Sequence, residues 1–297
     1  MAKPTLLIVL VLVLCSSTEA VGQGKKLWDR FSFRESFSGK RGPSRPASFS
    51  VLLPGDTTPS YNIQTAMRID LGFGSLARKV DIGPYVEYRL RTNIKKPQNV
   101  FMVGLAMDWE TRDEEAEDRK WSAVLVLRVN YKNDFERSTR AVQTNLLYTP
   151  VAGGDDLGNF FLPNIPTQFG TAMEFTYSPS IGLEREGLVD AKNKPLEGSV
   201  VRAVTGVRAE LLPLPSQLSR KLELNVEYSY LYDLIGRSNS ERPTRGHPLW
   251  KADANVWFVR TDAGRLAGVS LSHTNGGNPS VGFRHQQLTQ LTFAAKF

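Results

Sequence analysis

Residues 221–233 read KLELNVEYSYLYD, and their apolar side chains fall on every second position. Leu222, Leu224, Val226, Tyr228, Tyr230 and Tyr232 share one parity, while Lys221, Glu223, Asn225, Glu227 and Ser229 hold the other. A period of two places successive side chains on opposite faces of a strand, so this stretch is a strand with one apolar and one polar face. It is also long. Soluble strands average ~5–6 residues, whereas a tilted strand that crosses a bilayer needs ~9–11. Tyrosines at one end of the apolar face suit a membrane interface, where the ring meets lipid and the hydroxyl meets water.

The pattern recurs in both directions along the chain. Tyr61, Ile63, Thr65, Met67, Ile69, Leu71 and Phe73 oppose Asn62, Gln64, Arg68 and Asp70. Val86, Tyr88 and Leu90 alternate with Glu87, Arg89 and Arg91, and Phe101, Val103, Leu105, Met107 and Trp109 with Gly104, Ala106 and Asp108. Trp121, Ala123, Leu125, Leu127, Val129 and Tyr131 share a parity, as do Trp250, Ala252, Ala254, Val256 and Phe258. The predicted strands are 47–54, 61–73, 82–93, 99–109, 120–132, 139–149, 168–178, 199–211, 221–233, 249–260, 265–273 and 285–297. The expected fold is all-β: a transmembrane, antiparallel, up-and-down β-barrel of about 12 strands. In such a barrel short turns on one side alternate with long loops on the other. The second half of the chain obeys this, but in the first half 110–119 and 150–167 look like long loops on the side of the turns.

The chain begins with a leader. Lys3 precedes the apolar run Leu6–Leu14, and Thr18 and Ala20 have the small-residue spacing of a cleavage site. The run is too short for a membrane helix, which needs ~20 residues. Residues 1–20 are therefore expected to be a signal peptide, with the mature chain starting near Val21. The only cysteine, Cys15, lies inside this leader, which leaves no disulfide or thiol chemistry to the mature protein. Residues 21–46 form a basic N-terminal lead-in or plug, broken by Gly-Pro and Arg-Pro pairs, and 47–297 form the barrel. The net charge of +7 comes without a nucleic-acid-binding motif, so no nucleic-acid partner is expected.

The last strand, 285–297, reads HQQLTQLTFAAKF, with Thr289, Leu291, Phe293, Ala295 and Phe297 on one face. With the leader and the long alternating strands, this ending resembles the porin-like class of bacterial outer-membrane β-barrels, whose last strand typically ends in an aromatic residue. The resemblance implies a place in the bacterial outer membrane and contact with its lipids. It also implies recognition of the C-terminal strand by the barrel-assembly machinery, with Phe297 as the assembly signal.

Catalytic and metal motifs are absent: there is no HExxH, CxxC, Walker loop, GxSxG or dinucleotide fingerprint. No cofactor is expected. The acidic run Asp113, Glu114, Glu115, Glu117 and Asp118 reads as a solvated loop, because calcium loops need ordered spacing and a turn glycine. Asp155 and Asp156 are read the same way. Ser272-His273-Thr274-Asn275-Gly276 loosely resembles the H-x-S-N-G stretch of outer-membrane phospholipases and lipid A deacylases. Asn275 stands where their nucleophilic serine would be, so no catalytic residue is assigned. The functional signal is on the inward parity. Arg68, Arg89, Arg91, Arg128, Arg202, Arg208, Lys221 and Lys251 face Asp70, Glu87, Asp108, Glu174, Glu210, Glu223, Glu227 and Asp253, eight of each sign. A balanced, mixed-charge lumen fits a passive channel or small-solute transporter. The alternatives are an outer-membrane lipid-modifying hydrolase and a non-catalytic scaffold or surface-interaction barrel.

Overall fold

The structure, a computed structural model, describes residues 30–37, 46–52, 60–71, 80–92, 97–111, 121–152, 162–191, 198–236, 245–261, 266–278 and 284–296. The leader 1–20, the acidic residues 113–118, Asp155, Asp156 and Phe297 lie outside the described residues. Alternation becomes strand in every expected segment, although the one expected over 61–73 stops at Ile69. The elements are β1 (Phe31–Arg34), β2 (Ala47–Leu52), β3 (Ser60–Ile69), β4 (Val80–Arg91), β5 (Gln98–Glu110), β6 (Trp121–Asp134) and β7 (Thr139–Ala152). They continue with β8 (Thr167–Phe169), β9 (Met173–Ala191), β10 (Gly198–Pro213), β11 (Leu222–Ile235), β12 (Gly246–Arg260), β13 (Leu266–Asn278) and β14 (Arg284–Lys296). Among the described residues there is no α-helix.

Twelve strands close a wall in the order β2-β3-β4-β5-β6-β7-β9-β10-β11-β12-β13-β14, with β14 returning to β2. Every pairing is antiparallel, so the fold is the expected twelve-strand up-and-down barrel. Closure leaves no free sheet edge along the paired stretch. The closing ladder is short. β14 pairs with β13 from Leu266↔Lys296 to Asn278↔Arg284, but with β2 only at Phe293↔Phe49, Ala294↔Ser48 and Ala295↔Ala47. Asn62 Nδ2 donates across the same seam to Gln290 Oε1 at 2.9 Å. Opposed residues in an antiparallel pair have Cα atoms ~4.5–5.5 Å apart, inside the ~4.4–6.8 Å that a disulfide spans. Ser48→Cys with Ala294→Cys should therefore cross-link on oxidation, in a chain whose only other cysteine is Cys15. The boiled, unreduced protein should then migrate differently from the reduced form. Folded protein that never cross-links would show that the wall does not close here.

Two short strands complete the wall. β1 pairs with β3 from Phe31↔Ile69 to Arg34↔Ala66, and β2 pairs with the same side of β3 from Ser48↔Gln64 to Leu52↔Ser60. The two act as one wall strand interrupted between Arg34 and Ala47. β8 pairs with the start of β9, at Thr167↔Phe175 to Phe169↔Met173. It takes up β9 below Tyr148↔Ile181, where the β7 ladder ends.

β9 is the strand that differs most from the prediction. The expected 168–178 is instead Met173–Ala191. Pro179 and the run Glu184-Arg185-Glu186 argue against a strand, since proline cannot donate to a ladder. Pro179 is opposed by Val207 on one side and sits just past the last β7 pair on the other, where no ladder bond is required of it. The longer connections also contradict the turn-and-loop rule, because they do not keep to one end. Those spanning 70–79, 111–120 and 153–172 lie at the end of the barrel where β14 finishes, called the terminal end below, and that spanning 236–245 lies at the opposite end. The strand count is twelve, so the length asymmetry belongs to the chain and does not reflect a missed pair.

The two faces of the wall have opposite character. Leu105, Ile181, Leu183, Val226, Leu291 and Phe293 stand outside and are 48–63% exposed. Their neighbours Ala106, Asn225 and Thr292 are buried inside. This is the reverse of a water-soluble sheet, where the apolar face is the hidden one. No helix of the described residues is long and apolar enough to cross a membrane.

Candidate functional site

The inner faces of the strands enclose a cavity of about 320 Å³. Residues of β2 to β7 and of β9 to β14 line it, together with Arg34, Glu35 and Ser36 from the N-terminal segment. Period-two geometry delivers these side chains: every lining position of a strand has the same parity. Four groups of residues furnish the interior.

The first is where the chain leaves the wall after β1. Phe37 turns inward and packs on Tyr85, at 6.0 Å between ring centroids, in a buried cluster with Ala66 and Ala106. Both backbone groups of Phe37 are held by charge: its N–H donates to Glu87 Oε2 at 3.1 Å, and its carbonyl accepts from Arg128 Nε at 2.8 Å. Ser36 Oγ donates to Glu87 Oε2 at 2.8 Å, and the Arg34 guanidinium lies 3.8 Å over the Phe37 ring. Arg128 also reaches Asp108 at 2.5 Å, and Arg68 bridges Asp108 at 2.7 Å and Asp70 at 2.5 Å. Arg89 pairs with Glu87. This region fills the lumen beside β3–β6, so residues 34–37 form a small internal plug.

The second group surrounds Arg202, which is fully buried. Its guanidinium contacts Glu184 at 2.5 Å, Glu186 at 3.0 Å and Asp233 at 2.9 Å. Lys132 adds a contact to Glu186 at 3.2 Å, and His247 Nε2 lies 3.2 Å from Asp233. β9, β10 and β11 bring these residues together in one row, since Arg202 is opposed by Glu184 on one side and Asp233 on the other.

The third group is the next row down the same strands, and it is apolar. Leu147, Gly182, Val204 and Leu231 are successive cross-strand neighbours, and Val126 continues the row on β6. With Val124 they form a buried cluster on the inner wall. Polar-inside reasoning does not anticipate these residues.

The fourth group lies at the terminal end. Glu223 accepts from Asn225 at 2.6 Å, Trp257 Nε1 at 3.0 Å and Arg260 at 3.2 Å. Glu174 pairs with Arg220 at 2.5 Å.

Fourteen of the sixteen inward residues read from the sequence thus occupy three of these groups or the cavity itself; Glu210 lies on β10 outside both, and Lys221, expected inward, is exposed just before β11 because the strand starts only at Leu222. Arg68, Asp70, Glu87, Arg89, Asp108 and Arg128 hold the plug. Arg202 is the centre of the second group, while Glu174 and Glu223 sit at the terminal end. Arg91, Arg208, Glu227, Lys251 and Asp253 line the cavity, with Lys251 3.7 Å from Glu35. The reading missed Glu184 and Glu186 because it ended β9 too early, and it missed Lys132, Asp233 and His247. His273 faces outward, its ring 5.0 Å from that of Trp250 and its Nδ1 2.6 Å from Thr289 Oγ1. Ser272 lines the cavity on the other face and meets Ser270 Oγ at 3.2 Å. The two residues make no Ser–His pair. Among the described residues no group of His, Cys, Asp and Glu is arranged to hold a metal ion.

No protein-family model matches this chain, and no curated protein sequence matches it either.

Proposed function

We propose that the chain is an exported, membrane-spanning barrel of the bacterial outer membrane that acts as a passive channel for small solutes. The observation that carries this reading is the pairing of an apolar exterior with a polar-lined internal cavity of about 320 Å³ on the same strands. A barrel satisfies every backbone group within its own wall, so it can stand in lipid without open edges. The exposed Leu105, Ile181, Leu183 and Val226 are then covered by acyl chains. Outer-membrane lipids are its surroundings, and the assembly machinery recognises its C-terminal strand. Purified protein reconstituted in planar bilayers should give stepwise conductance. Folded, inserted protein without conductance or solute flux would remove the channel reading.

The plug narrows the path beside β3–β6. Phe37→Ala removes the ring packed on Tyr85 while leaving the backbone bonds to Glu87 and Arg128 possible. Single-channel conductance should rise in this variant. Conductance equal to wild type would show that the segment does not limit the path.

A further inference from the structure

The cavity lining differs around its circumference. On β13, β14, β2 and β3 it carries no charge: Ser270, Ser272, Thr274, Gln290, Thr292 and Gln64 present hydroxyls and amides. Its charged groups stand on the plug segment and on β4, β6 and β9–β12. Several of these are occupied by one another, as in Lys132 with Glu186 and Lys251 with Glu35. Within the charged zone, Leu147 on β7, Val204 on β10, Leu231 on β11 and Leu249 on β12 give the cavity an apolar side. The uncharged arc also has unmet hydrogen-bonding capacity. Thr292 Oγ1 and, beside it on β2, Ser50 Oγ are buried with no hydrogen-bond partner in the protein. A buried hydroxyl is stabilised by a partner, and the Thr292 residue lines the cavity.

We propose that this arc is a subsite for an uncharged small molecule bearing hydroxyl or amide groups, about the size of a monosaccharide, and that the lumen selects this class. The proposal rests on the channel reading and adds the solute to it. An ion moving along β14 and β2, the middle of the arc, gives up water and finds no fixed charge on those strands, which is costly in a confined space. Several of the fixed charges elsewhere in the lining are engaged in pairs. A neutral hydroxylated solute exchanges its water hydrogen bonds for those of Gln290, Ser272 and Thr274, and its C–H face meets Leu147, Val204 and Leu231. The cavity, about 320 Å³, falls at the low end of the ~300–1,000 Å³ that small-molecule sites occupy.

Uptake of radiolabelled glucose, glucuronate and glucosamine into phosphatidylcholine vesicles carrying the folded full chain separates charge from size. Glucose should enter faster than either charged analogue by about tenfold or more, the ratio that ~1.4 kcal/mol produces. Gln290→Glu is isosteric and places a charge in the arc. It should lower glucose uptake and favour glucosamine over glucuronate, and Ser272→Asp should do the same. Equal uptake of the three sugars by wild type would overturn the proposal and leave the channel reading standing. So would glucose selectivity unchanged in both variants. Vesicles that admit no sugar and pass no ion, although the barrel is folded, would remove the channel reading and this proposal together.

Discussion

Replacing Arg202 by leucine is expected to abolish most of the folded barrel. The guanidinium is fully buried and contacts Glu184, Glu186 and Asp233, each within 3.0 Å. Without it, three carboxylates remain crowded in the lumen beside Lys132 and His247. Removing one partner of a buried charge network costs about 3–5 kcal/mol, because the remaining charges stay buried and uncompensated. Domains of this kind hold ~5–15 kcal/mol in all, so the variant should lose a large part of its stability. Urea unfolding in detergent, followed by heat-modifiable mobility on gels, measures this. Adding Glu184→Gln, Glu186→Gln and Asp233→Asn to Arg202→Leu should restore much of the loss, since neutral side chains strand no charge. A loss of ~0–1 kcal/mol for the single variant would assign these contacts the value of solvent-exposed ion pairs. The lumen around Arg202 would then be freely hydrated.

The wall of this barrel is written in the sequence more plainly than its contents. Strict alternation in segments such as Leu222–Tyr232 and Trp250–Phe258 depends only on strand geometry, so each strand announces its own two faces. Exceptions arise where a strand serves two neighbours. β9 continues past Pro179 because its partner changes there from β8 to β7, and that exchange is a property of the assembled sheet. With the second half of β9 unread, Glu184 and Glu186 could not be placed beside Arg202. The apolar inner row left one local trace. Residues 123–127 read AVLVL, a run that is apolar at both parities, as expected where the inner face is also dry. The plug left less. Phe31 and Phe33 alternate with Ser32 and Arg34, but only for the four residues of β1. That Phe37 then enters the lumen depends on Glu87 and Arg128, about fifty and ninety residues further on.

The second large effect is expected outside the barrel, from Leu105→Arg. Leu105 lies near the middle of β5, opposed by Pro84 and Val129, with its side chain half exposed on the outer face. In water, an exposed leucine exchanged for arginine changes stability by about 0.5 kcal/mol or less, since the new charge is fully solvated. On the lipid face near the bilayer midplane the same exchange costs ~2–4 kcal/mol, and near the interfaces ~0–1 kcal/mol. The difference between these values tests the membrane-spanning reading directly. Leu218→Arg, in the turn between β10 and β11 at the terminal end, is the matched control and should be nearly neutral. Both variants would be folded from urea into phosphatidylcholine vesicles and their unfolding midpoints compared with wild type. Leu105→Arg should fall well below Leu218→Arg. Equal midpoints for the two would place the apolar exterior in water or against another protein, and the bilayer would have to be withdrawn as its surroundings.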